Sequence, residues 1–121
     1  MSLTSIGAYY EDEAAKWLCR RGMVLLAKNY RSRLGEIDII AMDGKVLVFI
    51  EVRARSHSGY SSAAGSIDHH KRQRVVRTAQ TYLQQHPEAA KLACRFDVIA
   101  FEPRQSASNL TLRWIPGAFT A

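Results

Sequence analysis

The stretch GEIDIIAMDGKVLVFIEVRAR, residues 35–55, decides the fold. It holds two strand-like runs, 36–42 and 45–55, separated by Asp43-Gly44. Asp-Gly favours a two-residue type I′ turn, because both central positions take positive φ. The stretch therefore predicts a β-hairpin. Counting outward from that turn sets Met42 against Lys45, Ala41 against Val46, Ile40 against Leu47, Asp38 against Phe49 and Glu36 against Glu51. Opposed residues share one face of the sheet. Glu36, Asp38, Glu51, Arg53 and Arg55 then project on one side. Ile37, Ile39, Val46, Val48, Ile50 and Val52 take the other. The convergence depends on register, since a one-residue slip exchanges the faces.

Carboxylates opposed in this way have Cβ atoms about 4.5–5.5 Å apart, and like charges there destabilise. The diagonal from Asp38 to Glu51 is within reach of one bridging cation. A divalent ion is one answer, because carboxylate oxygens suit Mg²⁺ or Mn²⁺. Arg53, two residues from Glu51 and on the same face, is another. The plain alternative is a salt-bridged hairpin end with no chemistry, and a lone Glu-x-Arg does not distinguish them.

Outward from the hairpin, residues 5–21 read as a helix. Tyr10, Ala14, Trp17 and Leu18 form its apolar stripe, and Gly22 is its stop. Residues 23–27 read as a first strand and 29–35 as a polar connection or strand end. Residues 56–65 are rich in Ser and Gly and read as a mobile loop. A second helix is expected over 67–85, with Val75, Val76, Ala79, Tyr82 and Leu83 inward and Pro87 marking its end. Residues 95–102 read as a strand and 103–109 as a polar loop. Residues 110–115 read as a last strand that Pro116 and Gly117 terminate, so that 103–121 is a C-terminal hairpin or tail. The order suggests one α/β domain over residues 1–121.

The chain of 121 residues is 47% hydrophobic, enough for a core in a single domain. Its formal charge of +6 favours polyanionic partners. Cys19 and Cys94 sit in no metal-ligand spacing, which argues against a zinc site and, more weakly, for a reducing compartment. No secretory signal is visible, and the longest apolar run is far short of a membrane span. A cytoplasmic location without membrane contact is the expectation.

A wider pattern adds to the hairpin. Gly7-Ala8-Tyr9-Tyr10-Glu11-Asp12-Glu13-Ala14, with Leu18 and Gly22, resembles the opening of the YraN-like family of bacterial proteins. Asn29-Tyr30-Arg31, the block 35–41, the block 48–55, Lys71 and Arg95-Phe96-Asp97-Val98-Ile99-Ala100 continue the resemblance over about residues 5–101. The resemblance implies a PD-(D/E)xK (restriction-endonuclease-like) core, similar to Holliday-junction resolvases: a mixed central sheet flanked by an N-terminal helix and a second helix. It implies Asp38 and Glu51 as ligands of Mg²⁺ or Mn²⁺, with the Val52 carbonyl as a further ligand. Glu11 would assist the metal or its water, and Glu36 would stand nearby. Arg53 occupies the position of the usual lysine. Arginine stays protonated and cannot act as a general base, but it binds phosphate bidentately. Tyr10 stands where the family has a small glycine, either crowding the site or packing against the sheet.

Arg31, Arg55 and Lys71 are the candidates for nucleic-acid contact, with Arg33, Arg72, Arg74 and Arg77 further basic residues. His57, His69, His70 and Tyr60 read as surface residues before they read as ligands or stacking platforms, and Asp97 reads as structural. The leading expectation is a metal-dependent endonuclease acting on structured or damaged DNA. A nucleic-acid-binding protein with weak or no catalysis and a protein-interaction scaffold are the alternatives. A homodimer is left open.

Overall fold

A computed structural model of the chain describes residues 3–54, 69–103 and 110–120. The elements run α1 (Leu3–Arg20), β1 (Val24–Ser32), β2 (Gly35–Asp43), β3 (Val46–Ala54), α2 (His69–Gln85), β4 (Ala93–Pro103) and β5 (Leu110–Phe119). The strands form one mixed sheet in the order β1-β2-β3-β4-β5. β3 and β4 are parallel, and α2 lies in the connection between them. The other neighbours are antiparallel. The expected α/β class is therefore observed.

Strand alternation builds two apolar layers. Ile40, Leu47, Phe49, Phe96 and Val98 pack with Val75, Ala79 and Tyr82 of α2. Ile39, Ala41, Val48, Ile50 and Ile99 pack with Ala14, Ala15 and Leu18 of α1. The helices thus cover opposite faces, and both faces of β3 and β4 are apolar, as sheets covered on two sides require. α1 ends as Gly22 implies. Gly22 has φ +91, its N–H donates to the Cys19 carbonyl, and the Met23 N–H donates to the Leu18 carbonyl. That pairing is a Schellman closure. Among the described residues no helix is long and apolar enough to cross a membrane.

The hairpin forms with a corrected turn. Asp43 pairs with Val46, so the loop is Gly44-Lys45 rather than Asp43-Gly44. Gly44 alone takes positive φ there, and the Asp43 carboxylate accepts from Arg95 Nη2 at 3.0 Å, which ties Asp43 to the sheet. The turn moves one residue along the chain, so the pairing slips by two residues. Ile40 therefore faces Phe49 instead of Leu47, yet no side chain changes face on that account.

Other boundaries moved as well. β1 runs on to Ser32, so that residues read as a connection or strand end are strand, because Tyr30 and Arg31 pair with Ile37 and Glu36. β5 runs through Pro116 and Gly117 to Phe119. It is an edge strand, where the missing proline donor is tolerated. A register shift opposite, between Phe96 and Val98, absorbs the irregularity. The loop 56–65, Arg55, His57, Tyr60 and the first two residues of the expected second helix lie outside the described residues.

Candidate metal centre

β2 and β3 part company at Asp38, and the site is built on that parting. Their last paired residues are Ile39 and Ile50. Beyond them the Val52 N–H donates to Asp38 Oδ2 at 2.8 Å. A side chain has replaced the backbone ladder, which pins the carboxylate against β3. On β1, Asn29 sits between the pairs Lys28–Ile39 and Tyr30–Ile37, opposite Asp38. Its φ of +53 lies in the left-handed region, which asparagine tolerates better than most residues.

Alternation breaks at this point in both strands. Ile39 belongs to the α1 layer, whereas Ile37 and Tyr30 pack with the α2 layer. Ile37 is thus on the opposite face from Ile39, contrary to simple alternation, because the backbone turns at Asn29 and Asp38. Asp38 is left facing the residues of α1. Carboxylate oxygens of Glu11, Glu36 and Asp38 lie within 4.8 Å of one another. The Asn29 side chain hydrogen-bonds Glu11, and Lys28 pairs with Asp12 one residue further along α1. Burial first, then the Asp38 charge, raises the Glu11 carboxyl above its ordinary value.

Glu51 is the buried member. It is 1% exposed, and its Oε1 has no hydrogen-bond partner among the described residues. Its Oε2 lies 4.0 Å from Arg53 Nη2. Burial and then the neighbouring Asp38 charge push the Glu51 carboxyl well above the usual range, and Lys71 and Arg53 act against that. Lys71 therefore reaches the field of the site from α2. Gly35 lets α2 lie close to the start of β2: a Cβ there would stand 3.0 Å from Thr78 Oγ1 and 3.3 Å from Arg74 Cβ.

The donor chemistry fits a hard divalent cation. Asp38, the buried Glu51 with its unpartnered Oε1, and the set of Glu11, Glu36 and Asp38 offer the carboxylate oxygens that such an ion takes. Asp38 and Glu51 would hold one ion. Asp38 also belongs to the more open set with Glu11 and Glu36. Beside the cluster, a depression of about 310 Å³ is lined by Tyr10, Glu11, Asp38, Val52 and Arg53. A second, of about 400 Å³, is lined by Glu11, Asn29, Arg31 and Glu36.

Of the residues singled out in the sequence, Glu11, Glu36, Asp38, Glu51, Val52, Arg53 and Lys71 meet here. Arg31 stands at the rim, three-quarters exposed, with its Nε 3.4 Å from Glu36 Oε2. His69 and His70 sit exposed at the start of α2. Tyr10 packs its ring on Phe101 at 4.9 Å. The parts sequence reasoning missed are the roles of Asn29 and Lys28. The available signal was an asparagine, a residue at ease with positive φ, inside a strand-like run. Asp97 is structural: fully buried, it accepts from Arg95 Nε and Nη2, Trp114 Nε1 and the Gly117 N–H at 2.9–3.1 Å.

Comparison with known proteins agrees with the family resemblance. The sequence model described as "Uncharacterised protein family UPF0102" matches residues 10–101. A UPF0102 protein of Alcanivorax borkumensis is 42% identical over 118 residues, covering 98% of this chain and 94% of its own. One from Pseudomonas aeruginosa is 42% identical over 115 residues, covering 95% and 92%. One from Aeromonas hydrophila is 44% identical over 119 residues, covering 98% and 87%.

Proposed function

We propose, from the premise that the chain belongs to the uncharacterised protein family UPF0102, that it is a divalent-metal-dependent endonuclease of the PD-(D/E)xK type acting on structured or damaged DNA. The observation that carries the reading is the buried, unpartnered Glu51 Oε1 beside the Asp38 carboxylate. A buried charge of that kind is retained at a cost, which is the mark of a functional site more than of a structural one. A helix–sheet–helix core with the acids at the parting of two central strands supports the fold type.

Asp38 and Glu51 would hold Mg²⁺ or Mn²⁺, with the Val52 carbonyl as a candidate further ligand. When bound, the ion lowers the pKa of a water, polarises the phosphoryl oxygen and orients in-line attack. The chain's own residues do the rest. Val52 N–H keeps Asp38 from rotating away. Glu11, its affinity for a proton raised by burial and by Asp38, is suited to take the proton of an attacking water at its carboxylate. Arg53 and Lys71 carry positive charge to the pocket, where it balances charge growing on the phosphate. Arg53 binds and orients the phosphate and does not act as a base. Arg31 and Arg55 are the candidates for contact with flanking phosphates.

The test is cleavage of branched and single-stranded DNA by purified protein with Mg²⁺ or Mn²⁺. Asp38→Asn and Glu51→Gln should each abolish it. Activity that survives both changes refutes the site. Salt-sensitive binding with no cleavage would favour the nucleic-acid-binding alternative, in which Arg53, 4.0 Å from Glu51, serves as the counter-charge.

A further inference from the structure

α2 carries Lys71, Arg72, Arg74 and Arg77 and no acidic residue. Lys71 is accounted for by the carboxylate cluster. Arg72 and Arg77 are not. Both are exposed, and among the described residues no carboxylate forms an ion pair with either. They line a groove of about 550 Å³ between α2 and the end of β5, with His69, Gln73, Gln80 and Phe119. His69, Gln73, Val76 and Gln80 recur at i, i+4, i+7 and i+11, so the groove follows one row of the helix. That row runs beside the one bearing Val75, Ala79 and Tyr82, which is buried against the sheet.

We infer that this groove between α2 and β5 is a second track for nucleic-acid phosphates, leading away from the carboxylate cluster. The inference rests on the nuclease reading for its polymer and deepens it by saying where a second length of that polymer lies. From His69 to Gln80 the helix rises about 16 Å, several phosphate spacings at about 3.4 Å of axis per strand. The Arg72 guanidinium is already placed, 5.7 Å over the Phe119 ring. A stacked guanidinium keeps its edge N–H groups for phosphate and loses less freedom on binding than a loose side chain. Gln73 and Gln80 add neutral donors of the kind that contact backbone phosphates without reading sequence. The groove begins on the first turn of α2, the turn that also carries Lys71.

The test is the salt dependence of binding, by fluorescence anisotropy, of a labelled four-way DNA junction to metal-free protein. In the double variant Arg72→Gln/Arg77→Gln, the slope of log K against log salt should become shallower by about 1.8, at about 0.9 per lost phosphate contact. Arg20→Gln/Lys45→Gln, equal in charge change and exposed elsewhere, should move the slope much less. All three proteins should melt alike. If the two double variants behave identically, the groove is overturned while the nuclease reading stands. A shallower slope for the groove variant in a protein that never cleaves keeps the groove and removes the nuclease. No binding of DNA by the parent protein, or binding only to anionic phospholipid vesicles, overturns the groove.

Discussion

Replacing Glu51 by glutamine should make the metal-free protein more stable. Glu51 is 1% exposed, with Oε1 unpartnered and the Asp38 carboxylate against it. Its pKa in the folded chain is raised, so the folded state binds the proton more tightly than the unfolded one. The stability that this group contributes is fully present below its ordinary value of 4.5 and is lost as pH rises through the folded value. Above that folded value the chain carries the full penalty. A buried polar group left without a partner costs about 1–3 kcal/mol, more for a charged one. Glutamine removes the charge and offers Asp38 an N–H donor in its place. At about 4 °C per kcal/mol for a domain of this length, Tm in a chelator at pH 8 should rise by about 4–12 °C. At pH 4 the parent and the variant should converge. Mn²⁺ at a hundredfold excess over its Kd should add about 2.7 kcal/mol to the parent and much less to the variant. Differential scanning calorimetry with and without Mn²⁺ reads both effects. The reasoning is refuted if the variant melts below the parent in chelator at pH 8, or if Mn²⁺ raises both equally.

Three further changes probe the scaffold and the site. Asp97→Ala strips the partner from Arg95, Trp114 Nε1 and the Gly117 N–H at once, and should cost about 3–5 kcal/mol by urea denaturation. An unchanged urea midpoint would show that the network contributes nothing. Gly35→Ala drives a Cβ to 3.0 Å from Thr78 Oγ1, and should cost about 1–3 kcal/mol, with Gly35→Ala/Thr78→Ala recovering part of it. If the nuclease reading holds, Arg53→Met should lower kcat by about 10²–10³-fold and Arg53→Lys by much less, since charge at the phosphate is what matters. Equal loss in both would assign Arg53 a role that depends on the guanidinium plane.

The sequence was legible where local rules and packing agree. Two apolar runs around a glycine turn predict the hairpin. The stripes in α1 and α2 and the stop at Gly22 follow from helix periodicity and from the one residue that closes a helix in the left-handed region. The turn itself was misplaced by one residue, because an Asp-Gly pair marks a turn without saying which of its two residues stays in the sheet. Here a distant partner decides: Arg95, from β4, holds Asp43. The same holds at the end of β5, where Pro116 and Gly117 look like a stop. The strand continues because buried Asp97 gives the Gly117 N–H a partner that the ladder does not.

The site was half legible for a related reason. Face alternation set Glu36, Asp38 and Glu51 on one side of the sheet, in one row with Arg53. Asn29 and Asp38 interrupt both strands together, and the interruption divides the acids. Glu36 and Asp38 turn to Glu11 of α1, while Glu51 stays buried within the field of Lys71 from α2. Asp38 touches both groups. That division sets what a cation must do here. On the proposed reading, an ion between Asp38 and Glu51 would neutralise the buried pair and would enter past the more open set of Glu11, Glu36 and Asp38. Removing Glu36 should therefore slow Mn²⁺ entry more than it weakens the final affinity, whereas removing Glu51 should abolish the tight site and leave a weak one. Stopped-flow measurement of Mn²⁺ binding to Glu36→Gln and Glu51→Gln separates the two effects. A Glu36→Gln protein that lost affinity with unchanged entry rate would place the ion in the outer set instead.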